Sequence, residues 1–122
     1  MKKILNLFFV SIIAASLFTA CDKKEENISE TENLTEVEKL MRDNEYIIVD
    51  VRTKSEYLSG HLVGAINIPY DQISEDDLDK DKLIFVYCKS GSRSQIAYET
   101  LTELGYSVYD LGAYSSINLP KE

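Results

Sequence analysis

The chain has 122 residues, 44% of them hydrophobic and 28% charged, with a formal net charge of −8. That length holds one globular domain and leaves no room for a second. The acidity argues against a nucleic-acid partner. The two cysteines, Cys21 and Cys88, cannot build a multi-disulfide framework or a paired-cysteine metal site, so each needs its own explanation.

Residues 1–20 begin with Lys2 and Lys3, continue through the apolar run Ile4–Ile13 and close on Ala14, Ala15, Ser16, Thr19 and Ala20. This is the pattern of a secretory signal. The run is broken by Asn6, Ser11 and Ser16 and falls short of the ~20 residues that span a bilayer. An uncleaved anchor is the alternative. Leu17–Phe18–Thr19–Ala20–Cys21 resembles a bacterial lipoprotein cleavage box, with Phe18 where the box usually has leucine. Lipidation of Cys21 is therefore expected, with export across the cytoplasmic membrane and a lipid-anchored domain facing the periplasm or the cell exterior. A cut after Ala20 by an ordinary signal peptidase is the other reading. Residues 21–33 are polar or charged apart from Ile28 and read as a tether.

At Leu34 the pattern changes. Leu34, Val37, Leu40 and Met41 recur at helical spacing, with Thr35 or Asn33 as the cap and Asp43–Asn44 as the stop. Strands are expected over Ile47–Val51, Ala65–Pro69, Lys82–Tyr87 and Ser107–Leu111. Between the last two, Ile96, Ala97, Thr100, Leu101 and Leu104 form a helical face closed by Gly105. Strands alternating with helical segments predict an α/β fold with an open parallel sheet, whose ligand lies beyond the carboxyl ends of the strands. Cys88 stands at such an end.

The stretch Cys88–Lys89–Ser90–Gly91–Ser92–Arg93–Ser94 runs from that strand into the next helix. Backbone N–H groups, the positive helix end and Arg93 would all face the cysteine sulfur, which is how a thiolate is made at neutral pH. Arg93 in a first helical turn opposes the helix dipole, so an anion should compensate it. The alternative is a small buried hydrophobe at a strand end. Either way, a strand-end loop is expected to contribute little to the core.

Four segments together resemble a single-domain rhodanese: Asp50–Val51–Arg52, Glu56–Tyr57, Gly60–Pro69 and Cys88–Ser94, in that family's order and spacing. The resemblance runs from about Leu34 to Pro120, and a rhodanese-like domain is accordingly expected over 34–122. It implies helices on both faces of the sheet and a sulfurtransferase needing no cofactor and no metal. Cys88 would take a sulfane sulfur from a small sulfur-containing anion such as thiosulfate and pass it to a thiol acceptor or cyanide. Lys89, Ser90, Gly91, Ser92, Arg93 and Ser94 would cradle the persulfide, with Asp50, Arg52 and His61 as structural support. Val63 stands where the family has proline, and Ala113 and Ile117 replace a glycine and a tryptophan. These departures keep open a second class, a non-catalytic module that binds a partner or carries persulfide.

Four residues between Cys88 and Arg93 argue against the related phosphatases, whose loop is one residue longer, and an arsenate reductase lacks a resolving cysteine here. His61, the only histidine, reads as a hydrogen-bonded turn residue and not a base. Arg52 and Glu56, four apart, are expected to form an ordinary ion pair. Glu75–Asp81 reads as a solvated connection without the ligand spacing of a calcium loop.

Overall fold

The computed structural model describes residues 34–122. The signal-like segment, Cys21 and the tether lie outside the described residues. Helix α1 (Glu36–Asp43) opens on a reciprocal capping box. Thr35 Oγ1 accepts from the Glu38 amide at 3.2 Å, and Glu38 Oε2 accepts from the Thr35 amide at 2.8 Å. Thr35 serves as the cap because Glu38 stands three places on and can answer it.

The other elements belong to one compact unit, Met41–Glu122. Strands β1 (Tyr46–Asp50), β2 (Ile66–Asn67), β3 (Leu83–Cys88) and β4 (Ser107–Ala113) form a parallel sheet in the order β2-β1-β3-β4. Helix α2 (Lys54–Ser59) joins β1 to β2, and helix α3 (Ser92–Glu103) joins β3 to β4. These two crossovers run in opposite directions across the sheet. Right-handed connections therefore put α2 on one face and α3 on the other. The 3-10 turn Tyr70–Gln72, on the path from β2 to β3, packs against α3.

Strand alternation sorts the side chains between these faces. Val49, Val51, Ile84, Val86 and Cys88 cluster with Ala97 and Leu101 of α3 and with Tyr106. Full burial of each large aliphatic there contributes roughly 1.5–3 kcal/mol before chain entropy is counted. The opposite face is aromatic and polar. Phe85 meets Tyr46 edge-on and Tyr109 at a tilt, and Tyr87 stacks on Tyr114, each with ring centroids 5.7 Å apart.

The expected strands all form, with altered ends. β2 shrinks to two residues because Pro69 has no N–H, although the Ile68 and Tyr70 amides still donate to Asp50 and Val51 carbonyls at 3.0 and 3.1 Å. β4 runs two residues further than expected through a bulge: Val86 pairs with Asp110 and Tyr87 with Gly112, leaving Leu111 extra. Gly112 takes φ 82°, and its amide donates to Asp110 Oδ1 at 2.9 Å. A C-terminal clasp was not foreseen. His61 and Glu122 exchange backbone hydrogen bonds, both 2.9 Å, and the Val63 amide donates to Pro120 O at 2.9 Å. A proline in place of Val63 would lose that last bond, which gives the departure at this position a physical use. The acidic connection folds on itself, with the Ser74 amide donating to Asp77 Oδ2 at 2.8 Å and the Asp81 amide to Asp79 Oδ1 at 2.9 Å.

Candidate active site

Cys88 is the last residue of β3, and α3 begins four residues later, at Ser92. Gly91 makes that turn as the helix N-cap at φ 100°, a left-handed conformation that side chains resist. A Cβ there would touch only Gly112 Cα at 4.0 Å, so the requirement is conformational and not steric. The first turn of α3 carries no acid, and Gly91 supplies no side-chain cap. Its free amides are left for the sulfur: the Gly91 N–H donates to Cys88 Sγ at 2.9 Å.

Cys88 is fully buried. Burial alone pushes its thiol up, but the Ser94 hydroxyl and the amides of Ser94, Gly91 and Ser90 together outweigh it and bring the pKa below the ordinary 9.0. The Ser94 hydroxyl also lies 3.1 Å from Gly91 O and has one hydrogen to give. Turned to the sulfur instead, that hydrogen would make the stronger, charge-assisted bond to a thiolate. Cys88 itself belongs to the core cluster, so the expectation of little core contribution holds for the loop from Lys89 to Ser92 and not for Cys88.

Arg93 departs from expectation. Its guanidinium takes Glu56 in a two-pronged pair, Nη1 to Oε1 at 2.7 Å and Nη2 to Oε2 at 3.1 Å. Its pKa is raised chiefly by Glu56 and to a lesser degree by the Cys88 charge. Arg93 therefore reaches the sulfur through its field and not through a hydrogen bond. The Arg52–Glu56 pair expected from four-residue spacing does not form. Arg52 precedes α2 and bends back to Asp50, while Glu56 sits in the first helical turn. There Glu56 also completes a capping box with Thr53, accepting from its amide at 3.2 Å and its hydroxyl at 3.1 Å. The Arg93 hydrogen bonds, against the cost of burial, hold the Glu56 carboxyl down at about 2.

Asp50 and Arg52 are buried together behind the strand ends. Asp50 accepts from the Arg52 amide at 2.9 Å, from Nε at 2.9 and 3.0 Å, from Nη2 at 2.6 Å and from the Tyr87 hydroxyl at 2.8 Å. Arg52 Nη2 also donates to Gly60 O at 2.6 Å, and its guanidinium lies 4.5 Å from the Tyr114 ring centre. Tyr87 in turn accepts from the Leu62 amide at 3.0 Å. Burial holds its phenol well above the ordinary range. The network thus fixes the residue next to Cys88. His61 supports a different place: its ring stacks on Tyr57 at 3.9 Å, its Nδ1–H donates to Tyr57 O at 2.8 Å, and its backbone holds Glu122.

Lys89, Ser90 and Ser92 are exposed, with the Ser90 and Ser92 hydroxyls 3.4 Å apart. Beside the loop is a hollow of about 360 Å³ lined by Arg52, Glu56, Ser59, Lys89, Tyr114 and Ser115. A larger one of about 630 Å³ lies along Tyr57, Leu58, Asn67 and Gln72 and contains no residue of the Cys88 loop. The smaller has Lys89 of the Cys88 loop in its lining. Glu56, Tyr87 and Tyr114 were not singled out from the sequence as site residues. The Thr53-x-x-Glu56 spacing is a capping-box signal that could have placed Glu56 at a helix start, but nothing in the sequence marks its partner across the sheet.

The rhodanese-like domain family model matches residues 33–118. Thiosulfate sulfurtransferase PspE of Escherichia coli is 38% identical over 78 residues, which cover 60% of this chain and 75% of that protein. Adenylyltransferase and sulfurtransferase uba4 of Ogataea parapolymorpha is 37% identical over 89 residues, but the chain spans only 23% of its length. Among solved structures, a rhodanese with anions from E. coli has a TM-score of 0.58 at 35% identity, covering 63% of this chain and 96% of that one. With the parallel sheet, the Cys88 loop and these matches in agreement, the chain belongs to the rhodanese-like domain family.

Proposed function

We propose that the protein is a sulfurtransferase working through a persulfide on Cys88. The observation that carries this reading is the set of donors around the sulfur: Gly91 N–H at 2.9 Å, with Ser94 and Ser90, lowering the thiol pKa without any general base. The thiolate attacks the outer sulfur of thiosulfate or a similar sulfane donor. A new S–S bond forms as the donor's S–S bond breaks, and that electron pair leaves with sulfite. An acceptor thiolate then attacks the terminal sulfur of the Cys88 persulfide and carries it off, restoring the Cys88 thiolate. No outside oxidant or reductant enters. Lys89, exposed beside the hollow, supplies a positive charge for an anionic donor in an otherwise acidic protein.

Treatment of the protein with thiosulfate, followed by intact-mass measurement, should show one added sulfur atom that a thiol then removes. No added mass would refute the reading. A stable adduct that no small thiol or cyanide can discharge would instead favour the persulfide-carrier reading.

The membrane-anchored location belongs to the same proposal and rests on residues 1–21. Cells fed a labelled fatty acid should mark the wild type and leave Cys21→Ala unmarked. Label on the variant, or none on the wild type, would remove the anchor.

A further inference from the structure

Glu56 and Arg93 come from opposite sides of the sheet. Glu56 stands in the first turn of α2, after β1, and Arg93 in the first turn of α3, after β3. β1 and β3 are neighbours, so the pair reaches over the carboxyl end of the sheet, where Cys88 ends its strand. The two side chains keep 27% and 25% of their surface in solvent, which leaves the pair within reach of a solute entering the hollow that Glu56 lines. The charges there are set out unevenly. Arg52 is neutralised by Asp50 and Arg93 by Glu56, while Lys89 has no ion-pair partner among the described residues.

We infer that Glu56 is a positioning residue that holds the Arg93 charge away from the Cys88 sulfur and so limits how strongly the site takes anionic substrates. The reason is competition for one guanidinium. With Glu56 in place, both prongs of Arg93 are occupied by the carboxylate. Without it, the neighbouring anion is the Cys88 thiolate, or a sulfur oxyanion beside it. Freed, Arg93 can turn to either with the geometry that suits a planar fork. The carboxylate also repels any anion entering the hollow, and its removal adds one unit of positive charge to the rim. The thiosulfate consequences rest on the sulfurtransferase reading; the charge at Cys88 does not.

A merely structural salt bridge predicts the opposite result on mutation: a looser loop, a weaker field at the sulfur and poorer anion binding. Glu56→Gln separates the two, because glutamine can keep the capping box with Thr53 while losing the charge. The readout is the rate of Cys88 alkylation by anionic iodoacetate divided by the rate with neutral iodoacetamide, which needs no sulfur transfer. In Cys21→Ala protein, so that only Cys88 reacts, Glu56→Gln should raise that ratio about tenfold, as one added charge a short distance away allows. The Cys88 titration midpoint should fall, and KM for thiosulfate should fall with it. Arg93→Gln alone, which leaves Glu56 uncompensated, should lower the ratio below that of the parent. The double variant should return close to the parent value. An unchanged or lowered ratio in Glu56→Gln overturns the inference, and so does a raised ratio in Arg93→Gln, which tests it even if Glu56→Gln does not fold. A protein that forms no persulfide yet shows these ratio changes would refute the sulfurtransferase reading and leave the role of Glu56 standing.

Discussion

Cys88→Ser should give a folded protein with no measurable sulfur transfer. The loss expected is on the order of a thousandfold or more, the scale seen when a nucleophile is removed from a hydrolase that depends on it. Serine keeps the size and the hydrogen-bonding role of cysteine at this position. What it lacks is acidity: the donors that lower a thiol's pKa have a far weaker acid to work on in a hydroxyl. Stability is a separate matter, because Cys88 is fully buried in the α3-facing core. The serine oxygen would still accept from the Gly91 amide, so the cost should be about 1 kcal/mol. In a domain of this size that lowers the thermal midpoint by about 4–8 °C. Cys88→Ala should cost more, since the Gly91 N–H would lose its acceptor. Thiosulfate:cyanide turnover and thermal melts on the three proteins check both halves. Turnover retained in Cys88→Ser would transfer the nucleophile's role elsewhere, and serine melting below alanine would show that the amide does not need an acceptor there.

What the sequence made legible here was whatever depends on neighbours in the chain. Ile47–Val51 and Lys82–Tyr87 were expected as strands of a parallel sheet, and they lie side by side as β1 and β3. The Cys88–Ser94 stretch predicted a strand end, a tight turn and a helix start, and Gly91 makes the turn. Charge pairing was less legible because it depends on which elements meet. Arg52 and Glu56 have the spacing of a helical pair, but the helix begins only at Lys54, so Arg52 lies outside it. A residue two places back in an extended strand end points the same way as Arg52, and that residue is Asp50. Glu56 was then available for Arg93, 37 residues away, a pairing that only the order β2-β1-β3-β4 brings about. The Tyr87 hydroxyl was hidden for the same reason: alternation put it on the face of Asp50, but which strand would carry the buried acid's partner was a matter of topology. The bulge at Leu111 has no local signal except Gly112 itself.

Asp50→Asn should be the most destabilising single change of a polar residue in the domain. Asp50 is wholly buried, and its carboxylate takes the Arg52 amide, the Nε and Nη2 of the Arg52 guanidinium and the Tyr87 hydroxyl. Asparagine offers one oxygen for those donors, turns an N–H₂ toward groups that are donors themselves, and removes the charge. Arg52, only 5% exposed, would be left as a buried cation with Gly60 O and two tyrosine rings for company. Removing one partner of a buried ion pair costs about 3–5 kcal/mol, a large fraction of the 5–15 kcal/mol that a whole domain has. The Glu56–Arg93 pair, still open to solvent, should cost about 1 kcal/mol or less when its carboxylate is neutralised. The contrast between the two substitutions is the test. Urea unfolding at neutral pH should move the midpoint far more for Asp50→Asn than for Glu56→Gln, with the slope unchanged if both remain two-state. Equal midpoints would mean that water reaches Arg52 in solution and that the Asp50 network is not what holds Tyr87, and through it Cys88, at the end of the sheet.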